Sequence, residues 1–347
     1  MKGRKKMVKV VLVTAGEERL PEGTGEAIRG FADFRAARCE TPEDLLRTFP
    51  DAEVCWMFGP NLCLKPEALD RMPGVKALLR SGSGLDALPC EWAKAHGVGV
   101  YNTPESVAEC VAEHAVALLV SYIRQIPQYN ARAKAGYEWG KVEGMDWHIS
   151  HRTLGLVGYG NIARRVEKMM SGFDMKTLHY DPFAPDSTDL DTLLAESDYV
   201  SIHCPLTPET KGLIDARRLK LMKRNAILVN TSRGPVVDEE ALADALDAGE
   251  IGGAAIDVMC EEPPNVNSRL LQHPKCIVTP HVAAFSCDFE KNFFAASVEK
   301  LRQICEAMDD GERIPRAKRV PRERVMGNVS PERSEPRKRS LEGWERK

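Results

Sequence analysis

Three polar side chains interrupt apolar runs in the second half of the chain, and their types suit one chemistry. Arg233 lies in Val229-Asn-Thr-Ser-Arg-Gly-Pro235, Glu262 in Ile256-Asp-Val-Met-Cys-Glu-Glu-Pro263, and His281 in Val278-Thr-Pro-His-Val-Ala-Ala284. A forked, permanently charged guanidinium can grip a carboxylate and polarise the carbonyl beside it. An imidazole, titrating nearest neutrality, can hand a proton to a forming alkoxide. A carboxylate paired with the imidazolium raises its pKa, each unit being worth about 1.4 kcal/mol. Each residue has a plainer rival. Arg233, beside Gly-Pro, could cap a helix or join an ion pair; Glu261 competes with Glu262; His281 could be a satisfied core histidine.

Upstream, the run from Thr153 to Val166 holds G-x-G-x-x-A at Gly158, Gly160 and Ala163, directly after an apolar strand and directly before a helical pattern. Gly158 permits the tight turn, Gly160 lets backbone approach a pyrophosphate, and Ala163 keeps helix and strand close. Free N–H groups from Asn161 and Ile162 onward then meet the phosphates at a positive helix end. The next strand-like run stops at Asp181, about 20 residues on, where a carboxylate receives ribose hydroxyls. That carboxylate repels a 2'-phosphate, so NAD is expected and NADP is the lesser fit. Arg164 and Arg165 temper the preference, although a solvated helix face is the expected place for both. A bare strand–helix turn with no ligand, and Asp181 capping a turn before Pro182, are the rivals here.

The elements that must position these groups alternate. Lys9 to Thr14, Glu53 to Met57, Lys76 to Leu79 and Val98 to Tyr101 read as strands, separated by helical periods over Pro42 to Phe49, Pro66 to Met72 and Leu88 to His96. The rhythm restarts after residue 150, with strands at Thr153 to Val157, Thr177 to Tyr180, Tyr199 to His203, Ala226 to Asn230, Ala254 to Val258 and Ile277 to Thr279. Nearly all-apolar strands are covered on both faces, as in parallel sheets. The expectation is α/β, with two doubly wound parallel-sheet domains in series. Thr103-Pro104 reads as a cap and first-turn proline opening a long helix, Glu105 to Gln125, that bridges them. A second long helix, Phe285 to Met308, returns to the first unit. In such sheets the carboxyl ends of the strands face one crevice, so Arg233, Glu262 and His281 should converge there.

Composition sets the outer bounds. The 347 residues carry 48 Lys plus Arg against 51 Asp plus Glu, with 43% hydrophobic residues, which excludes disorder throughout and favours two domains over one core. The longest apolar stretch, around Ala115 to Val120, falls well short of the roughly 20 residues of a membrane span. Ten cysteines without a C-x-x-C pair, most inside apolar runs, suggest buried, reduced thiols in a cytoplasmic protein. From Arg313 onward there are 12 basic and 5 acidic residues, leaving the body at net -10; this tail, 313–347, reads as disordered. Without interleaved aromatics it does not favour a nucleic-acid partner, and no metal-binding set appears.

Together these motifs resemble the D-isomer-specific 2-hydroxyacid dehydrogenases, which include glyoxylate/hydroxypyruvate reductases, phosphoglycerate dehydrogenases and the C-terminal binding protein co-repressors. The resemblance runs from about Val75 to Ser286. It implies a flavodoxin-like substrate domain (1–103 and 285–312) and a Rossmann NAD-binding domain (104–284). It implies that Arg233, Glu262 and His281 are catalytic, and that Arg80-Ser-Gly-Ser-Gly-Leu-Asp86 is the substrate loop, with N–H groups at Ser83 and Gly84 taking the substrate carboxylate. Asp257 corresponds to the residue that holds the nicotinamide carboxamide. Cys204, Pro205, Thr210 and Thr231 correspond to positions lining the cofactor. The implied function is hydride transfer between NAD(H) and a small 2-hydroxy or 2-keto acid; the alternative is an NADH-sensing dimeric interaction protein. A homodimer is implied through Glu105 to Gln125 and Tyr137 to Trp147. The family often has Gly-Gly where this chain has Ala283-Ala284, which implies a tighter or more apolar nicotinamide side. No regulatory module of the long phosphoglycerate dehydrogenases follows, and a carboxylate beside the histidine argues against a formate dehydrogenase.

Overall fold

The computed structural model describes residues 7–136 and 148–309. Two parallel sheets form, each from one of the two alternating halves. The first has β1 (Lys9–Leu12), β2 (Asp33–Ala36), β3 (Val54–Met57), β4 (Ala77–Arg80) and β5 (Gly99–Asn102), in spatial order β2-β1-β3-β4-β5. That is the flavodoxin-like order, with a switch point between β1 and β3. The second has β6 (Thr153–Val157), β7 (Lys176–Tyr180), β8 (Tyr199–Ile202), β9 (Ile227–Asn230), β10 (Gly253–Ile256) and β11 (Cys276–Val278), ordered β11-β10-β9-β8-β6-β7. Here the chain leaves β7, runs through helix Leu190–Glu196 and lands on the far side of β6, so the switch point lies between β6 and β8.

Period-2 alternation within apolar strands explains why both sheets are buried on two faces. Val10, Leu12, Val54 and Trp56 belong to one cluster of the first core, and Val11, Val13, Cys55 and Met57 to the other. In the second sheet Leu154, Leu156 and Val229 face one way and Val157, Leu228 and Ile256 the other. Each such side chain contributes roughly 1.5–3 kcal/mol on burial. The strand absent from the sequence expectation is β2. It pairs with β1 alone, and in Asp-Phe-Arg-Ala only Phe34 is fully buried, so it carries no apolar run to announce it.

Two helices join the lobes. The crossover helix Glu105–Ile123 places Val107 and Val111 in the first core, and Ala112, Ala115, Leu118, Leu119 and Ile123 in the second. Its small residues meet Ala163 and Val166 of helix Asn161–Met170, allowing close approach. By length and by a mean hydropathy of 1.4 over 18 residues it could cross a membrane, more than the sequence pattern suggested. Its apolar residues are instead divided between the two cores.

Thr103 does not cap this helix: Pro104 holds that position, and the Thr103 hydroxyl accepts the N–H of Gly82. The return helix spans Phe289–Asp309, four residues later than expected, after turns over Val282–Phe285 and Ser286–Phe289. The thiols are less buried than the apolar runs implied; Cys39, Cys55, Cys63, Cys204 and Cys305 are buried, whereas Cys260 and Cys287 are exposed. Tyr137 to Trp147 and the 313–347 tail lie outside the described residues.

Candidate active site

The loop after β4 is built to hold charge. Gly82 has φ +95, and its N–H is tied to Thr103 as described. The Ser81 hydroxyl accepts the Trp56 indole N–H at 2.8 Å and lies 2.6 Å from the Ser297 hydroxyl of the return helix. The Arg80 Nη1 donates to the Gly84 carbonyl at 2.8 Å, and the Asn102 amide donates to the Ser83 carbonyl at 2.7 Å. With their carbonyls engaged, the N–H groups of Ser83 and Gly84 make no hydrogen bond to another described residue. They are therefore available to an anion.

Arg233 arrives from the other lobe. The Asn230 amide donates to the Arg233 carbonyl at 3.0 Å, and the Asn230 side-chain oxygen accepts from Ser232 N–H and Oγ, folding the loop after β9 back toward the strand. The guanidinium gives Nη2 and Nε to Asp86 Oδ1 at 3.0 and 3.2 Å, and Nη1 to the Ser232 carbonyl at 2.7 Å. The ion-pairing rival for Arg233 is thus realised, with a partner from the loop after β4 itself. A Cβ at Gly84 would stand 1.9 Å from Arg233 Nη2, so glycine there is what lets the guanidinium lie against the loop backbone. Burial pulls the Asp86 carboxyl upward, but the charge and hydrogen bonds of Arg233 outweigh it, holding Asp86 below its ordinary range. Burial and the neighbouring Arg233 charge lower the pKa of Arg80, partly offset by Asp86.

Glu262, not Glu261, meets the imidazole: His281 Nδ1 and Glu262 Oε2 are 2.6 Å apart. The other Glu262 oxygen accepts the Met259 N–H at 3.1 Å. Burial tends to raise the Glu262 pKa, but the His281 hydrogen bond and charge, the Met259 amide and the charge of Arg233 together lower it. The pair is half-exposed, and Arg233, Glu262 and His281 follow the carboxyl ends of the neighbouring parallel strands β9, β10 and β11. His281 is no core histidine.

The turn after β6 fits a dinucleotide. Gly158 has φ +87, and a Cβ there would come within 2.6 Å of Cys204 N and 2.8 Å of its Cα, so the turn presses on the end of β8. A Cβ on Gly160 would meet nothing within 4 Å; the space in front of it is open. Helix Asn161–Met170 has no side-chain cap, leaving its first N–H groups, around Asn161 and Ile162, for a phosphate. Asp181 Oδ2 accepts the Tyr159 N–H at 2.8 Å and Oδ1 the Phe183 N–H at 2.9 Å, so the carboxylate sits at the mouth of the turn and shapes it. Thr231 is buried, and its hydroxyl is an orphaned polar atom at the carboxyl end of β9. Open backbone, uncapped helix start and orphan hydroxyl suit a nicotinamide dinucleotide.

Four further sequence-derived positions make contacts within the protein. Asp257 is 1% exposed, and its carboxylate closes on the Thr279 to Ala283 turn. The Thr210 hydroxyl stays within its own loop, donating to the Pro205 carbonyl at 2.6 Å and accepting the Thr207 N–H at 2.7 Å. The Cys204 thiol is buried and pushed up to about 12 by that burial. Arg165 is not on a solvated face: its Nε donates to Glu109 Oε2 of the crossover helix at 3.0 Å, while Arg164 lies 4.1 Å over the Tyr159 ring. Asp86 and His114 are the site-region residues that the motifs did not reveal. Asp86 could have been suspected as a lone charge within the substrate loop; His114, inside an apolar helical period, gave no such sign.

A family model for "D-isomer specific 2-hydroxyacid dehydrogenase, NAD binding domain" matches residues 116–283. The chain is 34% identical over 284 residues to D-3-phosphoglycerate dehydrogenase 2, chloroplastic, of Arabidopsis thaliana; the match covers 79% of this chain and 45% of that longer one. It is 37% identical over 252 residues to a glycerate dehydrogenase of Methylorubrum extorquens, covering 70% of this chain and 79% of the relative. Among solved structures it resembles a D-lactate dehydrogenase from Aquifex aeolicus complexed with NAD and lactic acid. That likeness has a TM-score of 0.75 at 27% identity, over 87% of this chain and 96% of the other. With these likenesses beside the geometry of the two loops and the His281 pair, the chain belongs to the D-isomer specific 2-hydroxyacid dehydrogenase family.

Proposed function

We propose that the protein is an NAD(H)-dependent oxidoreductase that interconverts a small 2-keto acid, such as glyoxylate or hydroxypyruvate, with its 2-hydroxy acid. The observation that carries this reading is the position of Arg233, whose guanidinium lies against Gly84 of one lobe while its own loop leaves β9, in the sheet whose neighbouring strands β10 and β11 lead to the Glu262–His281 pair. The N–H groups of Ser83 and Gly84, with the Arg233 guanidinium, take the substrate carboxylate and draw electron density from the adjacent carbonyl. Arg80 adds positive charge beneath the loop. His281, with Nδ1 held by Glu262, presents Nε2 to the carbonyl oxygen and gives it a proton as the hydroxyl forms; in oxidation it takes that proton back. When bound, the cofactor supplies or accepts the hydride at the carbonyl carbon. Asp181 and the turn from Gly158 to Ile162 hold its adenosine and pyrophosphate, with Cys204, Pro205, Thr210, Thr231 and Asp257 around the rest. The carboxylate at Asp181 favours NAD over NADP.

We further propose a homodimer through the Glu105 to Gln125 helix and the Tyr137 to Trp147 segment; helix Ile126–Lys134, which lies between them in sequence, has no fully buried residue of its own. The same reading makes the protein cytoplasmic, on its free thiols. The test is loss of reduced-nicotinamide absorbance with a panel of 2-keto acids. Wild type should turn over at least one, and His281→Ala should lower kcat by about 10²–10⁴ while NADH affinity stays within a few-fold. A chain that binds NADH but reduces no acid on the panel would sink the proposal.

A further inference from the structure

Glu262 holds the ring of His281, but something else must hold its backbone. His281 has φ +53, a left-handed conformation uncommon for a residue with a side chain and costing on the order of 1–3 kcal/mol. The clamp that maintains it centres on Asp257. The Asp257 carbonyl accepts the His281 N–H at 2.8 Å. Its Oδ1 accepts the Val282 N–H at 3.0 Å and its Oδ2 the Ala283 N–H at 2.8 Å, securing the chain just after His281. Just before, the Thr279 hydroxyl donates to Asp257 Oδ1 at 2.5 Å.

The clamp has an outer member. His114, on the crossover helix, places Nε2 3.0 Å from Thr279 Oγ1 and 3.5 Å from Asp257 Oδ1. Burial raises the Asp257 pKa, but hydrogen bonds from His114, Thr279, Val282 and Ala283 lower it further, so the carboxylate is ionised and can only accept. The Thr279 hydroxyl therefore spends its one proton on Asp257, and its oxygen accepts from His114. That direction puts a hydrogen on His114 Nε2. The crossover helix, packed into both cores, is thereby coupled to the turn that bears the proton donor.

We propose that His114 and Thr279 are positioning residues that, through Asp257, hold His281 in the backbone geometry from which its ring reaches both Glu262 and the substrate. This rests on the assignment of His281 as proton donor, and the experiment separates the two. Thr279→Val keeps the shape and removes the hydroxyl, Thr279→Ser restores it, and His114→Leu removes the outer donor. The charged or titratable groups tied to His281 or to its clamp are Glu262, on which the Arg233 charge acts, Asp257 and His114; Thr279→Val alters none of their charges directly.

In purified full-length protein, Thr279→Val and His114→Leu should lower kcat about tenfold or more. The KM for the keto acid and the Kd for NADH should change less than threefold, and Thr279→Ser should recover most of the rate. The pH–rate profile of reduction by Thr279→Val should move to lower pH as the hold on the His281–Glu262 pair loosens. Thr279→Val added to His281→Ala should cost no further rate, since both act through one group. Additive losses in the double variant, an unchanged kcat in both single variants, or a fall in kcat matched by equal losses in NADH affinity and thermal midpoint would overturn the proposal. If His281→Ala itself were fully active, the catalytic assignment would fall instead.

Discussion

The loop after β4 and the turn after β6 are both glycine-rich and both leave a parallel strand at its carboxyl end, yet glycine serves them differently. At Gly84 the missing side chain makes room for another side chain, the Arg233 guanidinium; at Gly158 it makes room for backbone, the end of β8 at Cys204. The loop after β4 is also cross-linked by side chains, through Ser81, Thr103, Asn102, Arg80 and Asp86. The turn after β6 is shaped mainly by close backbone packing, a short N–H contact to the Tyr180 carbonyl and Asp181, leaving open space in front of Gly160. A small acid must be gripped at a few points by charge, whereas a dinucleotide offers pyrophosphate to amides that any sequence supplies. One loop therefore depends on side-chain identity and the other on the absence of side chains.

The largest break in that comparison should come from Arg233→Ala, which removes a group that bridges the two lobes and leaves Asp86 without its partner. Loss of a donor that polarises the reacting carbonyl should lower kcat/KM by roughly 10²–10³ while NADH binding survives, as stopped-flow and fluorescence titration can show. Gly158→Ala should be next. Backbone contact at 2.6 Å together with positive φ leaves no flexible group to yield. A stability loss of about 1–3 kcal/mol in urea unfolding, with weaker NADH binding, is expected. Gly160→Ala, facing open space, should keep the stability and lose only cofactor affinity.

Gly84→Ala sharpens the contrast. The group it meets is the end of a side chain, so the fold should hold while Arg233 shifts, raising the KM for the keto acid about tenfold and leaving NADH affinity alone. A destabilised Gly84→Ala with normal KM would show that backbone, not the guanidinium, sets the space there.

The remaining effect, seen only as pH falls, is on acid stability, through His203 at the end of β8. Burial lowers its pKa to about 4, so it is neutral in the folded protein. Above the unfolded value of about 6.5 neither state is charged and the residue contributes nothing to pH dependence. As pH falls below that, the unfolded chain takes up a proton that the folded one refuses, and stability declines until about pH 4 and then levels. The loss is at most about 3 kcal/mol from this residue. Urea midpoints between pH 7 and 4.5 should fall less in His203→Gln than in wild type.

Local pattern alone determined much of this protein. Apolar β-branched runs marked most of the strands, and the G-x-G-x-x-A spacing marked a turn whose backbone then proves to be left-handed at Gly158. The strand-end positions of Arg233, Glu262 and His281 were visible because a polar residue that stops an apolar run stands out at short range. β2 escaped because an edge strand needs only one buried side chain, and its Asp-Phe-Arg-Ala resembles a loop. Through-space partners lay wholly outside such reasoning. Asp86 and Arg233 are separated by 147 positions, and His114 and Thr279 by 165. Composition and periodicity encode which face of an element is buried, which is a property of neighbours along the chain. Which carboxylate meets which guanidinium, and which helix touches the turn bearing His281, depends on how two lobes dock, and only the folded chain decides that.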